Sequence, residues 1–242
     1  MEAFAAFLPA IGQGMLTTVE IAVFSIAGCM PVSLLLGIGQ RAKNNLVRSV
    51  TGSIVELLRG ASVLIYLFWV YYALPAIPGM PHFDAVTVSI VVLALVGGAY
   101  GAEIVASALQ AVPPGQAEAS QALGLSKYRT FTLVVIPQAL SQIVPAFASL
   151  AIDMVKWTSV ASFVGVQDLL SVANTIRTTT YATVSTYAGV GVLYFLLCLL
   201  TSHFFAVVEH NLPLNRALRA AGPRSTASSA NALVLDTRAS QS

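Results

Sequence analysis

Charged residues are so sparse along this chain that the apolar segments between them define its elements. Residues 21–40, 60–83, 85–102, 130–152 and 178–208 hold no Asp, Glu, Lys or Arg. A helix crossing a hydrocarbon core about 30 Å thick needs roughly 20 apolar residues at about 1.5 Å rise each. A surface helix of a soluble protein would instead carry charges down one face at helical spacing. A transmembrane barrel would alternate apolar and polar positions in stretches of about ten, and residues 89–96, Ser-Ile-Val-Val-Leu-Ala-Leu-Val, do not alternate. The pattern predicts an all-α membrane protein of about five transmembrane helices, at 17–39, 61–76, 85–109, 138–163 and 186–207. The second is the shortest and is expected to begin before Ala61.

Charge then orients the bundle. Arg41, Lys43, Arg48 and Arg59 fall in the first connection, Lys127 and Arg129 in the third, and Arg216, Arg219, Arg224 and Arg238 in the tail. The second connection, 77–84, has no Lys or Arg, and the fourth, 165–185, has only Arg177. Basic connections stay on the cytoplasmic side, so the N-terminus is expected outside and the C-terminus inside. Pro75, Pro78 and Pro81 make the second connection stiff and non-helical.

Composition sharpens this picture at a few points. With 57% hydrophobic and 9% charged residues, a soluble globular fold is excluded. Residues 1–14 lack a basic leader and contain Pro9, so the first span is expected to serve as the insertion signal. Cys29 and Cys198 lie inside apolar spans and read as small hydrophobes. His82, His203 and His210 have no metal-ligand spacing, and no metal is expected. From 213 to 242 the chain is rich in Ala, Ser and Arg, which predicts a disordered cytoplasmic tail.

The connection at about 112–137 is the most informative segment. Pro113-Pro114-Gly115 breaks the incoming helix. Gln116 to Leu123 follow as mostly strong helix formers, and Gly124 can stop that helix. Ser126 can cap the next short helix, and Pro137 suits the first turn of the fourth span. The product is a helix–glycine–helix unit carrying Glu118, with small residues along one side. On these grounds it is either an ordinary connection or a docking element in which Leu123 and Leu125 fill a partner's pocket.

Glu118-Ala119-Ser120, Gly124 four residues later and Ile136-Pro137-Gln138 downstream closely resemble the EAA loop of permease subunits in bacterial ABC importers. Thr17-Thr18, Glu56 to Arg59-Gly60, Tyr100 to Glu103-Ile104, Gly115-Gln116, Lys156-Trp157-Thr158-Ser159 and Val166 to Leu169 narrow the resemblance to the polar amino acid group, of histidine and glutamine type. The resemblance covers 12–210. Four positions depart from the pattern: Ser120 closes the triplet, Ala61-Ser62 replace Thr-Pro, Ala106 replaces an arginine and Trp157 an aspartate.

The resemblance implies a type I ABC importer transmembrane domain in the bacterial inner membrane. Gln116, Glu118, Ala119, Ser120, Leu123, Gly124, Leu125 and Ser126 would form the coupling helix seated in a cytoplasmic ATPase dimer. That ATPase would use ATP and Mg; this chain has no phosphate-binding Gly-x-x-x-x-Gly-Lys and no cofactor of its own is expected. The other implied partners are a second permease, identical or related, a periplasmic or extracellular solute-binding protein docking near 78–84 and 167–177, and an amino-acid-like substrate. Lipid surrounds the chain and no nucleic acid is expected.

Glu20, Glu103, Asp153 and Lys156 fall in or at the edges of spans, where a charge costs about 2.5–3.5 kcal/mol unless it meets protein or water. Asp153 and Lys156 share a helical face, either as a structural pair or as a lining that meets a substrate's ammonium and carboxylate. With Glu103, Trp157 and Ser159 they are the candidate translocation path; Arg59, Gly60, Pro137 and Gln138 are motif positions. The alternative is a stand-alone secondary transporter or channel, which would call for paired repeats with broken helices. A membrane enzyme would need a nucleophile with its base, or a metal cluster, and the sequence offers neither.

Overall fold

The structure, a computed structural model, describes residues 7–211; the tail expected at 213–242 lies outside them. Every described element is helical. Helix α1 (Leu8–Gly39) is followed by α2 (Asn45–Gly60) and α3 (Val63–Phe68), which runs through a π turn and a 3-10 turn to Ala76. Helix α4 (Ala85–Ala111) leads to two short helices, α5 (Pro114–Ala122) and α6 (Lys127–Thr130). A π turn joins α6 to α7 (Ile136–Trp157), which continues as a 3-10 turn to Val164. Helices α8 (Leu169–Thr180) and α9 (Thr183–Asn211) follow. Four rods are long and apolar enough to span a membrane, and the bent pair α2–α3 brings the number to five among the described residues.

Local chemistry sets the helix starts. The side chains of Asn44, Ser62, Asp84, Ser126 and Asp168 accept hydrogen bonds from the backbone N–H of Leu46, Leu64, Thr87, Arg129 and Ser171. Each satisfies a donor that the first turn leaves free. The Thr87 contacts hold the Asp84 carboxyl below its usual range.

The structure corrects three expected boundaries. Helix α1 begins at Leu8 rather than Thr17, with Pro9 in its first turn, where a missing N–H costs nothing. The second span does not extend smoothly back from Ala61: α2 and α3 meet at 96°. Ala61 is extended and Ser62 starts a new helix. The 165–185 connection holds a helix, α8, whose Leu169, Val172, Ala173 and Ile176 are buried in the protein.

Helix α4 is the centre of the fold. Its Val88, Val92, Leu93 and Val96 pack with Ile21 of α1, Leu67 of α3 and Ala161 and Val164 beyond α7. Further along, Val105 joins Cys29, Phe147, Leu150, Met154 and Phe205. The α1–α4 contact is tightest at the glycines. A Cβ on Gly98 would stand 2.3 Å from Val32 Cγ1, one on Gly101 would stand 2.1 Å from Ser33 Oγ, and one on Gly37 would stand 2.8 Å from the Ala102 carbonyl. Between helices in lipid, where water supplies no driving force, such close backbone approach is a principal source of association.

Candidate functional site: the exposed helical hairpin and the polar groups of the bundle

Helix α5 and the turn after it form a compact projection. Ser120 is buried, its hydroxyl donating to the Gln116 carbonyl at 2.6 Å. Gly124 has φ +86°, a conformation open to glycine and strained for other residues. Its N–H reaches the Gln121 carbonyl at 2.9 Å and the Leu125 N–H reaches the Ser120 carbonyl at 3.2 Å. This pair of bonds is a Schellman cap, which satisfies the last carbonyls of a helix. Ser126 then caps α6 at 3.4 Å. Gln116, Glu118, Ala119, Leu123, Gly124 and Ser126 are exposed. Leu123 is 85% exposed and Tyr128 77%. Leu125 folds partly inward, so Leu123 and Tyr128, rather than Leu123 and Leu125, are the apolar groups the hairpin offers. Pro137 and Gln138 sit in the first turn of α7, half-buried.

The ionisable candidates separate into two groups. Arg59, next to Gly60 at the end of α2, pairs with Glu103 of α4 at 3.1 Å and lies 5.1 Å over the ring of Tyr100. That ring meets Trp157 at 5.5 Å. One chain of contacts thus joins the bend, the central helix and the far end of α7. Asp153 and Lys156 form their own pair at 2.9 Å, both half-exposed, and Ser159 donates to the Lys156 carbonyl at 2.8 Å. Among the described residues no hydrogen bond or ion pair joins this pair to Glu103. Glu103 also borders an open cavity of about 460 Å³ with Ile104, Ser107, Gln142 and Ala146.

Sequence reasoning missed the role of Asp168, which is completely buried. Its carboxylate caps α8 through the Ser171 N–H at 2.9 Å and accepts from the Tyr194 hydroxyl at 3.4 Å. Next to it the Leu169 N–H donates to Thr18 Oγ1 at 3.1 Å. Burial raises the Asp168 pKa to about 6. The signal was present: an Asp directly before apolar positions 169, 172, 173 and 176 reads as a helix cap over an inward stripe. In the same connection Gln167, Thr175, Thr178 and Thr179 are exposed.

This architecture defines a polytopic membrane protein with a projecting hairpin. Residues 29–212 match the family of binding-protein-dependent transport system inner membrane components, and the chain belongs to that family. It is therefore a multi-pass inner-membrane permease subunit of an ABC transporter, a transport component rather than an enzyme. A probable amino-acid ABC transporter permease of Sinorhizobium fredii is 34% identical over 85% of this chain and 88% of its own length. The octopine transport system permease OccM of Rhizobium meliloti is 29% identical, with 87% of each chain covered. The glutamine transport system permease GlnP of Escherichia coli is 27% identical, covering 86% of this chain and 94% of its own. Among solved structures, an amino acid ABC transporter with histidines superposes with a TM-score of 0.79 at 29% identity, covering 86% of this chain and 97% of that one. The MetNI methionine transporter shares the fold, with a TM-score of 0.71 at 22% identity over 86% and 98%. A stand-alone secondary transporter is not favoured by this membership.

Proposed function

We propose that this chain is the permease of an importer for a polar amino acid or a similar small zwitterion, coupled through α5 to a separate ATPase. The observation that carries the coupling is the hairpin itself: a nine-residue helix closed by a glycine cap that leaves Leu123 and Glu118 exposed. A rigid, shape-specific projection transmits movement of a docked partner, whereas a floppy connection would absorb it. The domain spans 12–210, with 112–137 as the coupling loop, and Gln116 to Ser126 seat in an ATPase dimer that binds ATP and Mg.

By this reading the basic connections lie in the cytoplasm and the N-terminus outside. A second permease covers the open faces of α7 and α9, and a solute-binding protein docks on the outer connections at 78–84 and 167–177, through groups such as Gln167 and Thr175. The half-exposed Asp153–Lys156 pair, with Glu103, Trp157 and Ser159, lines the path, offering one charge of each sign to a zwitterion. The relatives named for glutamine, octopine and amino acids support the substrate class.

Co-purification of the chain with its candidate ATPase, wild type against Glu118→Lys and Gly124→Asp, tests the coupling. Loss of the ATPase from both variants, with the permease still monodisperse, is the expected result. Undiminished ATPase recovery with both would sink the docking role.

A further inference from the structure

We propose that α2 is an interfacial helix that binds anionic lipid headgroups beside the bundle. The inference goes beyond the transport reading and takes from it only that the chain is embedded in a bilayer. Helix α2 is unlike the spans around it. It has 16 residues, about 24 Å at helical rise, and mixes apolar, basic and hydroxyl groups. Only Val55 is buried, packed against Ala99 and Ala102 of α4. Leu46, Val50, Ile54 and Leu57, spaced i, i+4, i+8 and i+11, make one stripe that stays 72%, 51%, 40% and 69% exposed. The 96° bend at Ala61–Ser62 turns this helix away from the direction of α3, and the Tyr66 hydroxyl bridges the bend by donating to the Leu57 carbonyl. A helix with an apolar stripe, a polar face and a near-perpendicular bend into the helix that follows it suits the headgroup–acyl boundary.

Charge selects the occupant. No Asp or Glu occurs between Glu20 and Glu56, whereas Arg41, Lys43 and Arg48 cluster at the start of α2. Arg41 is held by the Ala106 carbonyl and the Gln110 side chain, and Arg59 by Glu103. Lys43 and Arg48 remain exposed at the end of the stripe, and Arg48 donates to Asn45 in its own first turn. A second protein copy would cover the stripe with a matching apolar face and would leave unexplained a positive cluster that has no carboxylate partner among the described residues. An anionic bilayer surface answers both features at once. Each basic side chain near such a surface adds about a fivefold preference.

The test uses the full chain with Cys29→Ala and Cys198→Ala, reconstituted in vesicles of phosphatidylcholine with or without phosphatidylglycerol. Three single-cysteine variants, Leu57→Cys on the stripe, Glu56→Cys on the polar face and Leu35→Cys in α1, carry an environment-sensitive fluorophore quenched by brominated lipids. Strong quenching at position 57, weak quenching at 56, and a several-fold preference for brominated phosphatidylglycerol are expected. The preference should fall toward unity in Lys43→Gln/Arg48→Gln. Equal quenching by both lipids would overturn the headgroup assignment. Absent quenching at position 57, with disulfide cross-linking between two unlabelled Leu57→Cys chains, would assign the stripe to a second permease instead. Absent quenching at position 35 as well would overturn the bilayer placement itself.

Discussion

The most apolar 18-residue stretches of helix α4 and helix α9 are equally hydrophobic, with mean hydropathies of 2.0 and 2.1, yet 61% of the α4 stretch is buried and 17% of the α9 stretch. What separates them is side-chain size at the contact. Helix α4 has glycine at 97, 98 and 101 and alanine at 99 and 102, so α1 approaches it backbone to backbone. Helix α9 leaves Phe195, Leu196, Leu199, Leu200 and Phe204 exposed. Between α9, α1 and Val155 of α7 lies an apolar groove of about 560 Å³, lined by residues including Val19, Val23, Met30, Leu197 and Phe204. In lipid, hydropathy commits a helix to the bilayer and small residues decide which helices lock together. The two helices thus divide the work: α4 holds the protomer together, and α9 faces lipid or a partner.

Substitutions that fill the α4 contact should have the largest effect. Gly98→Leu or Gly101→Val drives a side chain into Val32 or Ser33; overpacking costs typically 1–3 kcal/mol and sometimes more, and here backbone must move. A large fall in melting temperature in nanodiscs is expected, against little change for Leu200→Ala, which is 64% exposed. Similar shifts for the two would erase the distinction between the helices.

The next effect concerns Asp168. Its folded pKa of about 6 stands above the ordinary 3.8, so the folded state binds the proton more tightly than the unfolded one. Its contribution is most favourable below about pH 4, declines as pH rises from about 4 to 6, and stays at its lowest above. Asp168→Asn keeps an acceptor for Ser171 and removes the charge. Wild-type stability should therefore gain on the variant by up to about 3 kcal/mol as pH is lowered through this window. Parallel melting curves across it would contradict the burial argument.

Smaller effects on folding belong to the exposed groups. Asp153→Asn and Lys156→Met break a half-exposed pair, and exposed pairs contribute little to stability. Melting should hardly move, while transport falls on the order of tenfold if the pair meets substrate. Unchanged uptake and substrate preference would remove it from the path. Smallest of all, Leu123→Ala should leave the isolated chain's stability untouched, because Leu123 is 85% exposed, and should weaken only ATPase recovery.

Much of the fold was legible because the bilayer imposes a simple rule: charge-poor stretches of sufficient length become spans. The hairpin at 114–130 was legible too, since proline, glycine and serine act through their immediate neighbours. What was not legible depends on tertiary placement. The bend at Ala61–Ser62 replaces an expected continuous span, because an extended residue and a serine cap there are compatible with either reading of the sequence alone. Arg59 meeting Glu103, and Asp168 meeting Tyr194, join residues distant in sequence, and neither periodicity nor spacing signals such pairs. Helix α8 escaped notice because its inward stripe is short and its outer face is rich in threonine.

The most direct measurement is substrate accumulation in proteoliposomes containing this chain with its candidate ATPase, binding protein and partner permease, with and without ATP. Accumulation that requires ATP and is abolished by Gly124→Asp, with the permease still folded, is the expected result. Accumulation without ATP, or full activity in that variant, would contradict it.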